Sequence, residues 1–300
     1  MTENYTKIVL KSGKDQSLKR FHPWVFSGAI KKIYGNLIEG DLVSVYSNKD
    51  EFLGLGHYQI GAIAVRIISF IEVVPDYDFW KKKIENAWNY RKLFGFADNE
   101  ETNVFRLIHA EGDGMPGLIA DFYNGTVVLQ MHSIGMYLIR EVIVNILKEV
   151  LGEKLKAVYN KSAKTLPFKA EIQSEDAYLF GGNNENEVLE HGLKFKVDWK
   201  LGQKTGFFID QRENRLLVQK YSQNRDVLNM FCYTGGFSFY AMKGGANLVH
   251  SVDSSAKAID LTNENVELNF PNNPRHQAFS ADGFEYLKEN KDLIEKDTGQ

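Results

Sequence analysis

The alternation of short apolar strands with helices in the last third of the chain is the feature that most constrains its fold. Residues 226–231 form an apolar strand pattern that runs into a pair of glycines, and a helical pattern follows over residues 237–242. Further strand patterns lie at residues 247–252 and 276–280. Because a strand that is joined to the next by a helix normally pairs with it in parallel, this region predicts a Rossmann-like α/β domain.

Residues at the ends of these strands predict a nucleotide-type binding site. Gly235 and Gly236 would let the backbone approach a ligand closely, and Asp253 ends the second strand, where a carboxylate can accept hydrogen bonds from ribose hydroxyls. The third strand ends at residues 282–284, whose carboxylate and aromatic ring suit an adenine. Since ligands of open parallel sheets bind at the carboxyl ends of the strands, we expect all three ends to meet on one adenosine.

Two alternatives to this interpretation remain open. The glycines can form only a tight turn, and Asp253 and Asp282 can be helix N-caps, a position that aspartate favours. A dinucleotide such as NAD is disfavoured, because Phe231 and Tyr233 stand where a dinucleotide-binding turn has glycines.

Two further domains are predicted before the α/β domain. Residues 1–75 consist of short β-type runs between glycine and asparagine turns, which indicates a small β barrel. Residues 76–182 begin with a linker and a helical pattern at residues 79–94, and they continue with strands and a second helix at residues 136–151, which indicates an α+β domain. The third domain is expected over residues 183–300.

The overall charge of the chain gives no sign of nucleic-acid binding. The sequence has 36 Lys and Arg against 39 Asp and Glu, so any basic surface must be local. The single cysteine, Cys232, excludes an internal disulfide framework and is typical of a reducing compartment. The N-terminus has no signal-peptide pattern, and no stretch is apolar enough for a membrane span. We therefore expect a soluble, cytoplasmic protein with no membrane partner.

Two motifs resemble those of a known enzyme family. Residues 202–215 (GQKTGFFIDQRENR) and 229–238 (NMFCYTGGFS) are similar to class I methyltransferases that modify large-subunit ribosomal RNA and carry a PUA domain. The best-known members of that family methylate carbon 5 of cytosine. The resemblance implies S-adenosylmethionine as the cofactor and large-subunit ribosomal RNA as the partner.

The resemblance also implies a role for each part of the cofactor site. The segment from Lys204 to Arg212 would cover the cofactor, and the turn that begins at Tyr233 would hold its methionine part. Asp253 and Ser254 would bind ribose, and residues 282–284 would flank adenine. The residues carried over are Lys204, Thr205, Gly206, Phe207, Asp210, Arg212, Tyr233, Thr234, Gly235, Gly236, Phe237, Asp253, Ser254, Asp282, Gly283 and Phe284.

The first predicted domain contains a segment that interleaves cations with aromatic residues, the composition needed to neutralise phosphates and stack on bases. The run at residues 22–28 (HPWVFSG) resembles the start of the PUA domain in the same family, which implies that this domain binds structured RNA. Trp24 and Phe26 alternate as strand residues do, so we expect at least one of them to face the barrel core. The candidate RNA-binding residues are Lys14, Lys19, Arg20, His22, Trp24 and Arg66.

The middle domain has a motif dense in turn formers and charge at residues 105–121. We expect its acidic residues to cap turns rather than bind a metal. The motif resembles the middle domain of the same family, where it shapes the RNA cleft. At residues 160–163 (NKSA) the chain departs from the family pattern, and we assign no substrate contact there.

No catalytic residue is assigned within these 300 residues. Methylation of carbon 5 of cytosine needs a cysteine thiolate that adds to the ring, and Cys232 is expected to be a core residue instead. In the family, an Asp-Pro-Pro motif and the catalytic cysteine follow a fourth strand. We therefore expect the catalytic residues beyond Gln300, a methyltransferase domain without its C-terminal half, and an inactive fragment.

Two alternative functions remain open at this stage. A guanine-specific methyltransferase would need no cysteine nucleophile, and a non-catalytic PUA protein would bind RNA alone. A homodimer is one option for the oligomeric state, which the sequence does not determine.

Overall fold

The computed structural model describes residues 5–167, 172, 174–182 and 186–291. The chain divides into two compact units. The first comprises residues 1–99, 103–185 and 199–206, and the second comprises residues 100–102, 186–198 and 207–300. The first two predicted domains therefore both fall in the first unit, and the boundaries expected at residues 75 and 182 stay predictions.

The first unit opens with a six-stranded mixed sheet. Its elements are β1 (Thr6–Leu10), helix α1 (Gln16–Lys19), β2 (Trp24–Phe26), β3 (Ile30–Tyr34), β4 (Leu42–Tyr46), β5 (Phe52–Tyr58) and β6 (Ile63–Ser69). The strand order is β2-β6-β5-β4-β1-β3, in which β1 and β4 are parallel. Alternate residues such as Val43 and Val45 point into one apolar cluster, as the two-residue repeat of a strand requires. The predicted β-rich start of the chain is confirmed.

A five-stranded sheet with helices follows in the same unit. Its elements are α2 (Tyr77–Leu93), β7 (Val104–His109), β8 (Leu118–Tyr123), β9 (Thr126–Met131), α3 (Ile134–Leu138), α4 (Arg140–Leu151), β10 (Ala157–Asn160) and β11 (Ala177–Phe180). The strand order is β11-β10-β9-β8-β7. The predicted α+β character is confirmed.

Two details of this region differ from the prediction. The helix expected over residues 136–151 is two helices, because Ile139 leaves helical geometry with φ −95° and ψ 12°. The expected linker at residues 75–78 contains the start of α2, because the Asp76 carboxylate accepts from the Phe79 backbone N–H at 2.9 Å and caps the helix.

The second unit contains a hairpin and a three-stranded parallel sheet. Its elements are β12 (Glu187–Glu190), β13 (Leu193–Lys196), α5 (Arg212–Tyr221), β14 (Asp226–Met230), α6 (Gly236–Lys243), β15 (Leu248–Asp253), α7 (Ala256–Asn269), β16 (His276–Ser280) and α8 (Gly283–Glu289). The order β14-β15-β16, parallel throughout, confirms the predicted alternation of strands and helices.

The register of this sheet places the carboxyl ends of its strands at one edge. Met230 pairs with Val252, and Asp253 pairs with Ser280. The predicted ligand residues follow these strand ends directly. Among the described residues, no helix is long and apolar enough to cross a membrane, and no group of three or more His, Cys, Asp or Glu side chains is placed to hold a metal ion.

Candidate functional site

The turn after β14 is strained and tightly bonded. Phe231, Tyr233 and Gly235 all have positive φ, at 56°, 50° and 79°. The Cys232 N–H donates to the Val252 carbonyl at 3.0 Å, and the Gly235 N–H donates to the Cys232 carbonyl at 2.9 Å. Left-handed backbone at non-glycine residues costs free energy and occurs where the surroundings enforce it, often at ligand sites. The turn is therefore held in one conformation at the start of α6.

Gly235 has no room for a side chain. A Cβ there would lie 2.7 Å from Thr262 Cγ2 and 2.8 Å from the Phe239 ring. Thr262, on α7, also donates to the Tyr233 carbonyl at 3.0 Å. Backbone conformation and close packing together account for glycine at this position.

Asp253 ties together the loops at the ends of β14 and β15. Its Oδ2 accepts from the Tyr233 backbone N–H and its Oδ1 from the Ser255 backbone N–H, both at 2.9 Å. The N-cap of α7 is Ser255, which accepts from the Ala258 N–H, so the alternative that Asp253 caps this helix is wrong. Because each carboxylate oxygen has two lone pairs, the half-buried Asp253 keeps acceptor capacity for two further hydroxyl groups.

Asp282 caps α8. Its Oδ1 accepts from the backbone N–H groups of Phe284 and Glu285, at 2.9 and 3.2 Å, so the N-cap alternative is confirmed for this residue. Both bonds use the same oxygen, which leaves the Asp282 Oδ2 edge for a ligand. Gly283 is buried, and a Cβ there would lie 2.8 Å from Met230 Cε.

Two aromatic rings stand exposed near these loops. The Phe231 and Phe284 side chains are each 72% exposed, an unusual condition for phenylalanine. The Phe231 ring also lies 3.4 Å from the Cβ position of Gly283, so the ends of β14 and β16 approach each other. Exposed rings beside a carboxylate can stack on a flat base while the carboxylate accepts hydrogen bonds.

The segment that was predicted to cover the cofactor divides between the two units. Lys204, Thr205 and Gly206 belong to the first unit. Thr205 is buried, and its hydroxyl donates to Asp121 Oδ2 at 2.7 Å and accepts from the Tyr123 hydroxyl at 2.9 Å. Lys204 is exposed and has φ 47°. The Thr205 hydroxyl thus anchors this segment to β8.

The remainder of the segment belongs to the second unit. The Phe208 ring meets the Tyr233 ring edge to face at 5.4 Å between centroids. Asp210 is exposed in a short 3-10 turn, Ile209–Gln211. The Arg212 side chain is 9% exposed, and its Nε donates to Glu190 at 3.1 Å. Whether these residues contact the cofactor stays a prediction.

Glu190 is a candidate that the sequence analysis missed. Its carboxylate is fully buried and accepts two bonds from Arg215, at 2.7 and 2.8 Å, and one from the Tyr240 hydroxyl at 2.9 Å. Burial raises the pKa of Tyr240, and the neighbouring Glu190 carboxylate raises it further, so this hydroxyl remains a donor. The sequence contained one signal for this residue. Glu190 alternates with Val188 on the inward face of β12, and a charged residue buried on such a face needs a partner of opposite charge.

Cys232 is a core residue, as predicted. Its side chain is 6% exposed, and burial raises the pKa of the thiol to about 11. Its sulfur lies 3.9 Å from Thr262 Oγ1. A thiol in this state is protonated at neutral pH and is a poor nucleophile.

Comparison with protein families connects this geometry to an activity. Residues 8–70 match the PUA-like domain family, and residues 106–295 match the family described as S-adenosylmethionine-dependent methyltransferase. The chain belongs to the S-adenosylmethionine-dependent methyltransferases. The cofactor expected from the sequence is therefore the cofactor of its family.

Relatives of this methyltransferase extend the comparison over nearly the whole chain. A protein of Aeromonas hydrophila named ribosomal RNA large subunit methyltransferase I is 36% identical over 294 residues, which cover 96% of this chain and 73% of the relative. A protein of Escherichia coli with the same name is 33% identical, over 97% of this chain and 73% of the relative. Neither the expected absence of half a domain nor the expected inactivity is supported by these matches.

Two solved structures show the same fold. A methyltransferase of Streptococcus mutans matches with a TM-score of 0.81 and 28% identity, covering 96% of this chain and 74% of that one. A structure described as a methyltransferase complexed with SAH matches with a TM-score of 0.83 and 28% identity, covering 96% and 73%. The fold of this methyltransferase is therefore shared with a protein that holds the demethylated product of the cofactor.

The candidate RNA-binding residues of the methyltransferase lie mostly on the surface of its first unit. Lys14, Arg20 and His22 are exposed, and Lys19 is exposed and ion-paired with Asp15 and Glu51. A pocket of about 330 Å³ at this surface is lined by Lys14, Ser17, Leu18, Trp24, Val25, Phe26, Gly28 and Ala29.

The expectation that Trp24 or Phe26 faces the barrel core is wrong. Val25, between them, is 1% exposed and fills the core, while Phe26 is 49% exposed. Trp24 is half-buried, and its indole N–H donates to Glu111 at 2.7 Å. The two-residue repeat was assigned to the wrong face, because an aliphatic β-branched residue occupies the inward position.

Arg66, on β6, is partly buried in the first unit. Arg66 Nη1 donates to the Gln59 side chain at 2.7 Å, and burial lowers the pKa of the guanidinium, an effect that Glu111 opposes.

In the middle-domain motif, Asp113 accepts from the His109 backbone N–H at 2.6 Å and forms an ion pair with Arg91, so it holds a turn as predicted. At residues 160–163, Asn160 and Ser162 bond to each other in the interior.

Proposed function

We propose that this methyltransferase transfers a methyl group from S-adenosylmethionine to a nucleotide of large-subunit ribosomal RNA. Its family supports the cofactor, and the names of its relatives support the substrate. The single structural observation that carries the proposal is Asp253, fixed by two backbone N–H groups at the carboxyl edge of a parallel sheet with acceptor capacity to spare.

The site residues fit the cofactor. Asp253, with Ser254 beside it, accepts hydrogen bonds from the ribose hydroxyls. Asp282, Gly283 and Phe284 flank the adenine, and the exposed Phe284 ring offers a stacking face. The strained turn from Tyr233 to Phe237 holds the amino-acid part, and residues 207–212 of the same unit cover the cofactor. When bound, S-adenosylmethionine supplies the electrophilic methyl group, while these residues bind and orient it.

The first unit supports the RNA part of the proposal. Its PUA-like region exposes Lys14, Lys19, Arg20 and His22 beside the half-buried Trp24, and Arg66 lies on the same sheet. Lys14, Arg20 and Arg66 supply positive charge for phosphates, and the pocket beside Trp24 accepts an unstacked base. A ribosomal RNA substrate fits the cytoplasmic location expected from the sequence.

We propose carbon 5 of a cytosine as the methylated atom, on the strength of the two sequence motifs. That reaction needs a thiolate, and Cys232 is unsuited because it is buried and its pKa is raised. The state of Cys232 is also the observation that favours the second candidate, a guanine-specific methyltransferase, which needs no cysteine.

Two experiments test these proposals. Calorimetry with S-adenosylmethionine should detect binding, and Asp253→Ala should weaken it at least tenfold, because the ribose loses its acceptor. Heat from neither protein would favour an RNA-binding protein without catalysis.

The second experiment identifies the methylated nucleoside. Protein-free large-subunit ribosomal RNA is incubated with the chain and methyl-labelled cofactor, digested to nucleosides and analysed by mass spectrometry. Labelled 5-methylcytidine supports the first candidate and labelled methylguanosine supports the second. An absence of label contradicts the second candidate, because it needs no cysteine nucleophile.

A further inference from the structure

A buried ion cluster lies beside the proposed cofactor residues of the second unit. Glu190, at the end of β12, is fully buried, and the Arg215 side chain is 3% exposed. Arg215 donates through Nε and Nη2 to the two carboxylate oxygens, a fork that fixes the plane of the guanidinium. Arg212 and Tyr240 donate to the same carboxylate.

The Arg215 guanidinium also contacts the segment that is proposed to cover the cofactor. It does so through a hydrogen bond from its remaining nitrogen and through stacking of its planar face. Its Nη1 donates to the Phe208 carbonyl at 3.0 Å, and its guanidinium carbon lies 4.6 Å from the centre of the Phe207 ring. The Phe208 ring in turn meets Tyr233. One guanidinium thus connects the buried carboxylate to residues 207–208 and, through them, to the strained turn.

Arg215 also lies against Gly236 of that turn. The position of a Cβ on Gly236 is 3.3 Å from Arg215 Cδ. The residues proposed to bind ribose and adenine, Asp253 and Asp282, make their hydrogen bonds to other partners. The cluster therefore touches the part of the site that faces the amino-acid end of the cofactor.

Stability alone is a weak reason for such a cluster. Replacing a buried ion pair by apolar residues is often neutral or stabilising, whereas removing one partner leaves a charge without compensation. A forked guanidinium offers geometry that neither a lysine nor an apolar group can supply. We propose that Glu190 and Arg215 are positioning residues that hold residues 207–208 and the turn at 233–236 for the methionine part of S-adenosylmethionine. This inference rests on the proposed function.

The test compares two ligands that share an adenosine. Affinities for SAH and for adenosine are measured by calorimetry on the whole chain and on Glu190→Gln, which removes the charge with little change of shape. We expect SAH to bind about tenfold more weakly to this variant and adenosine to bind within about twofold of the unchanged chain. Arg215→Lys, which keeps the charge but loses the fork, should show the same selective loss.

Glu187→Gln is the matched control, because it makes the same chemical change on the same strand at an exposed ion pair with Lys194. It should leave both affinities unchanged. Equal losses for SAH and adenosine in Glu190→Gln and Arg215→Lys would mean that the cluster only maintains the fold, and no loss would mean that it has no part in binding. Either result overturns the inference. Failure of the unchanged chain to bind SAH would instead contradict the proposed function.

Discussion

At the scale of single residues, Gly235 combines a backbone requirement with a packing requirement. Gly235→Ala should lower the free energy of unfolding by about 2–4 kcal/mol, because it adds left-handed strain to a clash with Thr262 and Phe239. Urea unfolding measures the change. Gly245→Ala is the control, since Gly245 has φ 84° but its nearest neighbour is 3.8 Å from the added Cβ. An equal cost at both positions would show that packing adds nothing at Gly235.

Cys232 gives a second prediction at this scale. Because burial raises its pKa from 9.0 to about 11, its thiolate fraction near pH 8 is about a hundredfold below that of a free thiol. A chromogenic disulfide reagent should therefore react at least about a hundredfold more slowly with the folded chain than with the chain in guanidinium chloride. Equal rates would show that the thiol is accessible and ionised, and would restore Cys232 as a candidate nucleophile.

At the scale of secondary-structure elements, His57 makes the packing of β5 sensitive to pH. Its ring is 4% exposed, stacks on Trp80 of α2 at 6.1 Å, and occupies the space beside Gly135 of α3. Burial lowers the pKa of His57 to about 4. The unfolded chain therefore binds a proton more readily, so this contribution to stability is present above about pH 6.5 and is lost as the pH falls toward 4.

We expect the unfolding free energy to fall by about 2 kcal/mol between pH 7 and pH 5 on account of His57. His57→Phe, which keeps a stacking ring but cannot be protonated, should remove that part of the pH dependence. Urea unfolding at the two pH values measures it. Burial also lowers the pKa of His276 to about 4, so a residual slope is expected in the variant. An unchanged slope would contradict the role given to His57.

The segment at residues 199–206 depends on its bonds to β8. The Asp121 carboxylate is fully buried. It accepts two hydrogen bonds from the Arg106 guanidinium and one from the Thr205 hydroxyl. Asp121→Asn should speed backbone hydrogen exchange in this segment, corresponding to a loss of about 1–3 kcal/mol. Asp113→Asn is the control, because it breaks an Arg–carboxylate fork with Arg91 elsewhere in the same unit. Identical exchange in both variants would contradict the anchoring role.

At the scale of the whole molecule, the chain consists of two compact units with separate sheets. Differential scanning calorimetry should resolve two transitions, since units of this size each form a cooperative core. SAH at a hundred times its dissociation constant should stabilise the unit that holds Asp253 and Asp282 by about 2.7 kcal/mol. An equal shift of both transitions would show that the units unfold as one.

Most of the catalytic fold could be predicted from periodicity, because local patterns carry that information. Strands β14, β15 and β16 and helix α6 were placed within a residue or two, and the parallel order follows from the crossover rule. The face of β2 was wrong, because its alternation fits either orientation until the neighbouring strands fill one side. The break at Ile139 was missed because its residue type does not forbid a helix.

The sequence by itself determined the order of elements, the strand ends that carry Asp253 and Asp282, and the need for glycine in the turn between β14 and α6. Only the tertiary structure decided that Asp253 joins two loops while Asp282 caps a helix, that Thr205 is anchored by Asp121, and that Glu190 is buried among Arg212, Arg215 and Tyr240. Periodicity and turn chemistry depend on neighbours along the chain, so they can be read from it. The partners of a carboxylate are far apart in sequence, and only the packed fold brings them within hydrogen-bonding distance.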